Sequence, residues 1–475
     1  MPAVPPIPGA AADRIRVKRI YRAARVSDGN RVLVDRLWPR GMSKDRARLH
    51  SWCREIAPSD ELRRWYHAHP DQWEDFVARY RHELTLKDDL ARDLASMAVD
   101  GVLTLLFASS AETRNNATVL RDHLRQHLAN KGIPMPGPDQ RPALRTPLCD
   151  LLGCEVPVLL AGMGGVARAE LAAAVARAGG YAMLGMVRED PDLIEAEITA
   201  YRAATDRPFA VNVIPSATDP ALLQAQISRC LDLGVRAFTF FWDIRPEVIA
   251  QVKREGCLVL HQVGTLAAAR EAEAAGADVI ITQGIEAGGH VHGRTGAFAL
   301  AEAVLDGTRL PVVVSGGITT GHGLAAALML GAQGVQCGTA FLATNESWAH
   351  DYHKQRVAAA GADDTVLTDI FVLNWPKGAA VRVLGNSVTA GLDGQLMGHD
   401  PATLPRVVIA HDSGQPLLRY STDSPMRHTS GALEEMALYA GQGVGTIRNV
   451  VPAAERLRQI VDQARDCLAR PGPRP

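Results

Sequence analysis

The 475-residue sequence lacks a membrane span, a signal peptide and a strong net charge. These absences are typical of a soluble globular protein. No uninterrupted apolar run approaches the roughly 18 residues that a membrane span needs. The Pro- and Ala-rich segment 1–13 has neither a positive start nor a continuous apolar core, so we predict a disordered tail there and not a signal peptide. The net charge of −1 provides no global attraction to nucleic acid or to a membrane surface. We therefore expect a cytoplasmic protein without nucleic-acid or membrane partners.

The sequence is also poor in cysteine, with 7 thiols scattered along the chain. Cys149 and Cys154 are the nearest pair, and no second pair at zinc-site spacing accompanies them, so we expect no metal. An odd, scattered set is typical of buried free thiols in a reducing compartment. The length predicts two or three domains, because one hydrophobic core rarely organises so long a chain.

Segment 14–130 has the pattern of a small α/β domain. Residues 14–21 alternate apolar and basic side chains, as an amphipathic strand does, and 31–37 are predicted to form a second strand after a turn. Segment 101–108 is apolar enough for a central strand, and a helix is predicted over about 116–128. The strings VDRLWPRGMSK and LTLLFASSAETRNNATVL resemble the uncharacterised DUF488 family, and this resemblance implies no established chemistry.

Basic side chains in this domain leave two interpretations open. Arg36, Arg40 and Lys44 lie near a glycine turn, and Arg114 and Asn115 lie near the predicted helix start. Such groups hold an anion when they converge. Arginines that bridge surface carboxylates produce the same pattern, and the ion-pair interpretation is the simpler one.

A Pro- and Gly-rich segment, 131–145, predicts a semi-rigid linker to a second, larger domain. In that domain, 146–470, short apolar runs alternate with alanine-rich amphipathic helices. The runs predict eight strands, at 157–162, 181–186, 209–214, 237–242, 257–263, 278–282, 311–315 and 334–337. Eight strand–helix units predict an α/β fold of the (β/α)8 type, a TIM barrel. Segment 345–430 departs from this periodicity after the eighth strand, and we expect an insertion that covers the site as a lid or mediates contacts in a homo-oligomer.

The chemistry of such a barrel lies at the C-terminal ends of its strands. There the glycines after the seventh and eighth strands expose backbone N–H groups, and a helix start near Gly321 can point its positive end at an anion. This pattern predicts a phosphate site. Amide side chains at other strand ends, Asn212, Gln262 and Gln283, suit an aromatic heterocycle. FMN combines such a ring with a phosphate, so it is the predicted cofactor.

Six strings in this region are LLAGMGG, FAVNVI, QGIEAGGH, VVVSGGI, GAQGVQCGTAFL and LYAGQGVGTI. Together they resemble the nitronate monooxygenase family, formerly called 2-nitropropane dioxygenases, whose members are FMN-dependent barrels. The resemblance implies a catalytic histidine at His290. It also implies FMN contacts at Met163, Asn212, Gln283, Gly288, Gly316, Gly317, Gln336, Cys337, Gly338 and Thr339.

The loop of His290 departs from the family pattern in one respect. The family often has one residue between its GGH and the next glycine, whereas here Val291 and His292 precede Gly293. The extra residue brings a second imidazole toward the mouth of the barrel. We expect His292 to lie with Tyr439 and Gln442 at the substrate pocket.

The resemblance implies oxidation of alkyl nitronates, with propionate 3-nitronate as the expected substrate, by FMN and O2 to a carbonyl compound and nitrite. A neutral His290 would remove a carbon-bound proton from a nitroalkane, and a charged one would attract the nitronate anion. Two alternatives stay open. One is an NAD(P)H-dependent flavin reductase of the same barrel group, acting on a quinone or on an enoyl-acyl-carrier protein. The other is a flavin-based sensing or binding protein.

Overall fold

The structure is a computed structural model that describes residues 15–25, 28–100, 102–111, 113–130 and 144–469. The predicted tail, 1–13, and nearly all of the predicted linker, 131–143, lie outside the described residues. The chain divides into two compact units, Met1–Arg141 and Pro142–Pro475. In the described part of the chain, no helix combines the length and the apolar character that a membrane crossing requires.

The described residues of the first unit form a four-stranded parallel sheet with helices packed against it. Its strands are β1 (Ile15–Arg19), β2 (Asn30–Leu33), β3 (Ser51–Trp52) and β4 (Leu103–Phe107), in the spatial order β1-β4-β2-β3. Its helices are α1 (Lys44–Ala47), α2 (Asp60–Ala68), α3 (Trp73–Thr85), α4 (Asp88–Asp100) and α5 (Asn116–Asn130). Strand β4 pairs with both β1 and β2 and is buried at every position, as its apolar sequence predicts. The predicted separate α/β domain is confirmed.

The second unit contains a barrel of eight parallel strands within residues 144–469. The strands of this unit up to residue 337 are β5 (Val158–Leu160), β6 (Ala182–Gly185), β7 (Phe209–Val213), β8 (Ala237–Phe241), β9 (Leu258–Val263), β10 (Val279–Gln283), β11 (Gly289–Val291), β12 (Val312–Ser315) and β13 (Gly334–Cys337). All of them except β11 belong to the barrel, in the order β5-β13-β12-β10-β9-β8-β7-β6. A parallel bridge between Leu159 and Tyr181 joins the two edges, so the barrel closes. The predicted TIM barrel is confirmed.

Helices surround the barrel and connect its strands. They are α6 (Pro147–Leu152), α7 (Ala169–Arg177), α8 (Pro191–Ala204), α9 (Pro220–Asp232), α10 (Pro246–Arg254), α11 (Leu266–Ala275), α12 (Ala297–Gly307), α13 (Gly321–Leu330) and α14 (Thr339–Leu342). Helices α8, α9 and α10 each begin with a proline, whose missing N–H is not needed in the first turn. Asp190 and Asp219 precede α8 and α9, and their carboxylates accept hydrogen bonds from backbone N–H groups of the first turn.

The predicted insertion after the eighth strand is confirmed. Its elements are α15 (Asp351–Ala359), β14 (Thr365–Thr368), β15 (Ala380–Leu384), α16 (Ser387–Ala390), β16 (Val408–Asp412), β17 (Gln415–Leu418) and β18 (Ser430–Gly431). Strands β14 and β15 form an antiparallel sheet with β11, which belongs to the sixth loop of the barrel. The last helix, α17 (Ala453–Leu468), returns to the barrel and packs against α13 and α7.

Candidate functional site

A cavity of about 610 Å³ opens at the C-terminal ends of the barrel strands. Its wall contains most of the residues that the sequence predicts for the site: Met163, Asn212, Gln283, Gly288, His290, Gly316, Gly317, Gln336, Gly338, Thr339 and Tyr439. Gln262, at the end of the fifth barrel strand, is also part of it. The structure therefore gathers residues from distant parts of the chain around one space, at the end of the barrel where such enzymes carry their chemistry.

Three predicted site residues lie outside the cavity wall. Cys337 is buried in the hydrophobic core, and burial raises the pKa of its thiol to about 12. His292 packs against Trp242, with 4.9 Å between the ring centroids and 65° between the ring planes. Gln442 is exposed, and its backbone N–H donates to the carbonyl oxygen of Glu286 at 2.9 Å.

The predicted helix start near Gly321 also lies away from the cavity. The backbone N–H of Gly321 donates to the side-chain oxygen of Gln463 at 2.8 Å, so α17 satisfies it. The glycine loops at Gly316–Gly317 and Gly338–Thr339 do reach the cavity. Gly316 adopts a φ of 107°, which an L side chain rarely tolerates, and a Cβ atom there would lie 3.0 Å from the backbone nitrogen of Gly284. These two loops are the part of the wall that suits a phosphate.

Asn212 provides a test of whether a flavin ring suits the remaining wall. Its Nδ2 donates to the carbonyl oxygen of Thr239 at 3.1 Å, which orients the amide. Its Oδ1 is buried and finds no hydrogen-bond donor among the described residues. A buried oxygen without a donor costs free energy, so a ligand N–H at this position would be favoured. The residues present therefore fit a heterocycle that carries a donor on its edge.

The sixth loop is held in place by the side chain of Gln283. The Nε2 of Gln283 donates to the carbonyl oxygen of His290 at 2.8 Å, and its Oε1 accepts from the backbone N–H of His292 at 3.2 Å. His290 and Val291 belong to β11. In this strand His290 lies opposite Val381 and Val291 lies opposite Ala380. Val291 is buried. The additional residue of the motif is thus accommodated in a strand that pairs with the insertion.

Two glycines allow this loop to lie directly against the segment after Tyr439. A Cβ atom at Gly288 would lie 2.5 Å from the backbone nitrogen of Gly441, and one at Gly441 would lie 2.7 Å from the carbonyl oxygen of Glu286. Both distances are too short for any side chain. The carboxylate of Glu286 accepts from the backbone N–H of Ala297 at 3.1 and 2.9 Å and so caps α12, which is a structural task.

His290 lies among aromatic rings. Its imidazole stacks on Trp375, and Trp242 and Tyr439 lie at centroid distances of 6.3 and 5.9 Å. Burial, with the nearby charge of Arg188 as a second cause, lowers the pKa of His290 from its ordinary value of 6.5 to about 3. Its Nε2 is buried and has no hydrogen-bond partner in the part of the chain that the structure describes. The ring is therefore neutral near neutral pH.

The cavity wall also contains charged and aromatic residues that the sequence motifs do not single out. Arg188 follows the second barrel strand, and Asp423 and Trp375 belong to the insertion. A signal for Arg188 is its position just beyond a predicted strand end, where barrel enzymes place functional side chains. The sequence offers no such signal for Asp423 or Trp375, because their segment has no barrel periodicity.

The predicted anion-binding residues of the first unit are only partly free to bind a ligand. Arg36 pairs with Asp60, with 3.2 Å between Nε and Oδ2. The Asn115 side chain accepts from the backbone N–H of Thr118 at 3.1 Å and donates to the Ala111 carbonyl oxygen at 2.9 Å. Arg40, Lys44 and Arg114 are exposed. Anion binding by this unit stays a prediction.

Comparisons with known proteins agree with both resemblances. A model of the nitronate monooxygenase family matches residues 145–463, and a model described as the inactive DUF488-N3 subclade matches residues 14–143. The chain is 33% identical over 357 residues to the nitronate monooxygenase of Paraburkholderia phytofirmans. That match covers 66% of this chain and 93% of that protein. Both predicted family resemblances are confirmed.

A second relative is named for a different activity. It is a (3aS,4S,5R,7aS)-5-hydroxy-7a-methyl-1-oxo-octahydro-1H-indene-4-carboxyl-CoA dehydrogenase of Mycobacterium tuberculosis, 42% identical over 228 residues. That match covers 47% of this chain and 63% of the relative's length. Among solved structures, the nitroalkane oxidase of Streptomyces ansochromogenes is 31% identical with a TM-score of 0.56, over 67% of this chain and 98% of that one.

Proposed function

The chain belongs to the nitronate monooxygenase family, and we propose that it is an FMN-dependent oxidoreductase that converts alkyl nitronates to carbonyl compounds. The reaction uses O2 and releases nitrite, and propionate 3-nitronate is the expected substrate. The observation that carries the proposal is the buried Oδ1 of Asn212, which has no donor among the described residues, in the wall of the cavity that also contains His290.

The residues that would hold FMN fall into two groups. The glycine loops at Gly316–Gly317 and Gly338–Thr339 would accept its phosphate, and the Oδ1 of Asn212 would accept a hydrogen bond from its ring. When bound, FMN supplies the electron-transfer chemistry that no side chain provides. Gln283 contributes by holding the backbone of the sixth loop, so that His290 stays at the cavity.

The protonation state of His290 favours a nitronate over a nitroalkane. A general base works best when its pKa lies near the operating pH, and a pKa of about 3 makes His290 a weak base for a carbon-bound proton. A nitronate has already lost that proton, so its oxidation requires no general base for proton removal. The neutral ring gives no support to the alternative in which an imidazolium attracts the substrate anion.

The insertion serves as a lid in this proposal. Trp375, Leu417, Thr422 and Met426 all contribute to the cavity wall, although the segment that contains them is not part of the barrel. Their side chains reduce the access of water to the reacting groups, which strengthens electrostatic interactions inside the site.

The decisive experiment is a spectrum followed by an assay. The purified chain should show flavin absorbance and should release nitrite from propionate 3-nitronate in air. A colourless protein that cannot be reconstituted with FMN would contradict the flavin assignment. A yellow protein that releases no nitrite from any nitronate would leave the cofactor in place and reject the reaction.

A flavin dehydrogenase or reductase is the second candidate function. The relative from Mycobacterium tuberculosis favours it, because that relative is a dehydrogenase and is 42% identical to this chain over 228 residues. The two functions differ in what reduces the flavin. Rapid anaerobic bleaching by NADH, or by an acyl-CoA, would support the second candidate, whereas bleaching by a nitronate alone would support the first. A flavin that none of these compounds reduces would favour a sensing or binding protein.

A further inference from the structure

Two guanidinium groups, those of Arg168 and Arg188, contribute to the cavity wall among the described residues. The two groups differ in how many of their N–H donors are bound by other protein groups. Arg168 donates to the carbonyl oxygen of Gly165 at 3.1 Å and lies 3.3 Å from Glu197 and 3.7 Å from Glu189. Its charge is therefore balanced by two carboxylates, and it has a structural task in the wall.

Arg188 has two hydrogen bonds to the insertion but only a long ion pair among the described residues. Its Nη1 donates to the carbonyl oxygen of Asn374 at 2.9 Å, and its Nη2 donates to the Oγ1 of Thr422 at the long distance of 3.5 Å. Its ion pair with Asp423 is long, at 3.9 Å, and both carboxylate oxygens of Asp423 already accept from the Nδ2 of Asn374 at 3.2 Å. The Arg188 side chain keeps 32% of its surface exposed, so a ligand in the cavity can reach it.

The backbone at Arg188 also indicates a position under functional constraint. Its φ of 60° lies in the left-handed region, which a residue with a Cβ atom adopts at a cost in free energy. Strain of this kind persists where the surrounding structure enforces it, and it is common at functional sites. Here it directs a long cationic side chain from the end of the second barrel strand toward the cavity.

The positive charge of Arg188 reaches His290. That charge is one of the two causes that lower the pKa of the imidazole, so the two groups share one electrostatic environment. With the imidazole neutral, an anionic substrate needs a cation from another residue. Arg188 supplies it from the same wall, and opposite charges attract strongly in a site that is shielded from water.

We propose that Arg188 is the residue that binds the anionic group of the substrate, a nitronate or a carboxylate, beside His290. This proposal rests on the proposed function for the identity of the reacting group. Asp423 competes with the substrate for the guanidinium, so it sets how tightly an anion is bound.

The test compares Arg188→Met with the unaltered chain on substrates of different charge. Nitroethane is neutral, ethylnitronate carries one anionic group, and propionate 3-nitronate carries a nitronate and a carboxylate. Because a hydrogen bond to a charged group is worth more than a neutral one, we expect KM for the anionic substrates to rise roughly tenfold to a hundredfold. The effect on nitroethane should stay within about threefold. A rise for both nitronates places the nitronate on Arg188, whereas a rise for propionate 3-nitronate alone places the carboxylate there.

Three further variants sharpen the test. Arg188→Lys keeps the charge and should recover part of the loss. Asp423→Asn removes the competing carboxylate and should lower KM for the anions. Arg458→Met, at an exposed position on the last helix, is the matched control and should change nothing. Equal losses on neutral and anionic substrates, or no loss at all, would overturn the proposal.

A binding measurement keeps the proposal testable if no nitronate is turned over. Propionate, an unreactive carboxylate, is titrated into the FMN-loaded chain, and its dissociation constant is measured by calorimetry. Arg188→Met should weaken propionate binding about tenfold or more, and Arg458→Met should not. If no nitronate is turned over, unchanged propionate binding in Arg188→Met would reject Arg188 as the anion site. A loss of propionate binding without nitronate turnover would reject the proposed reaction and retain the site.

Discussion

The imidazole of His290 lies flat against the indole of Trp375, with 3.5 Å between the ring centroids and 20° between the ring planes. The two residues come from different parts of the fold, since His290 belongs to the sixth barrel loop and Trp375 to the insertion. The stack covers one face of the imidazole and removes water from it. This contact connects the insertion directly to the chemistry proposed for the barrel.

Replacement of Trp375 by leucine should therefore weaken catalysis and change its pH dependence. An aromatic pair contributes about 0.5–1.5 kcal/mol beyond its buried area, so we expect kcat/KM to fall roughly twofold to tenfold. Water admitted to the uncovered ring should raise the pKa of His290 from about 3 toward its ordinary value. The pH profile of kcat/KM measures both effects. Trp348→Leu alters an insertion tryptophan outside the cavity wall and should leave the profile unchanged; an equal shift in both variants would contradict a specific role for the stack.

The two histidines of the loop should respond differently to substitution. Of the two, only His290 belongs to the cavity wall among the described residues, so His290→Asn should lower the already slow turnover of neutral nitroalkanes by roughly a hundredfold. His292→Asn alters a ring that packs against Trp242, so we expect a much smaller loss. Initial rates of nitrite release from nitroethane and ethylnitronate separate proton removal from later steps. Full activity of His290→Asn on nitroethane would reject the proton-abstraction role.

Alanine at Gly441 should destabilise the site without altering any functional side chain. Its Cβ would lie 2.7 Å from the carbonyl oxygen of Glu286, and neither backbone can yield without moving the sixth loop. We expect a loss of about 1–3 kcal/mol in the free energy of unfolding and a lower FMN content in the purified protein. Gly361→Ala is the control, because its Cβ would meet Asp364 at 3.5 Å, an ordinary contact. The melting temperature and the flavin-to-protein ratio report the outcome, and normal values for Gly441→Ala would show that the loop is loosely packed.

The second unit should lose stability steadily as the pH falls below neutrality. Burial lowers the pKa of His261 and of His353 to about 4, and that of His290 to about 3. In the unfolded chain these rings bind protons near pH 6.5, so the unfolded state takes up more protons than the folded state between pH 6.5 and about 4. Each ring should therefore reduce the free energy of unfolding by about 1.4 kcal/mol for each pH unit within that window.

Urea unfolding at several pH values between 7.5 and 5 measures this slope. His353→Gln is the informative variant, since glutamine can keep a hydrogen bond to the Tyr439 carbonyl oxygen, which His353 Nε2 contacts at 3.0 Å, but cannot be protonated. We expect a shallower slope for this variant, by about one proton. An identical slope in the variant and the unaltered chain would show that His353 does not titrate on unfolding.

The barrel strands are predictable from the sequence to within one or two residues. The predicted strand at 209–214 is Phe209–Val213 in the structure, and the predicted strand at 334–337 is Gly334–Cys337. Strands that are buried on both faces have continuous apolar sequences. The helices between them are long enough to show the helical periodicity of apolar residues. The strand order in the first unit is not predictable in the same way, because it depends on contacts between distant segments.

In the candidate site too, features set by local sequence are predictable, and features set by contacts between distant segments are not. The residues at strand ends are predictable because a barrel places them around one mouth. The strand Gly289–Val291 is not, since its sequence has no apolar run and its partner, Ala380–Leu384, lies far along the chain. Gln283 illustrates a further limit: an amide suits a flavin edge and a backbone hydrogen-bond pair equally well, and only the folded structure distinguishes the two.

The pairing of β11 with β15 has a consequence for the position of His290. Its backbone is held from two sides, by Val381 of the insertion and by the side chain of Gln283 at the end of a barrel strand. The imidazole is therefore fixed by the barrel and the insertion together, so its position at the cavity depends on a folded insertion.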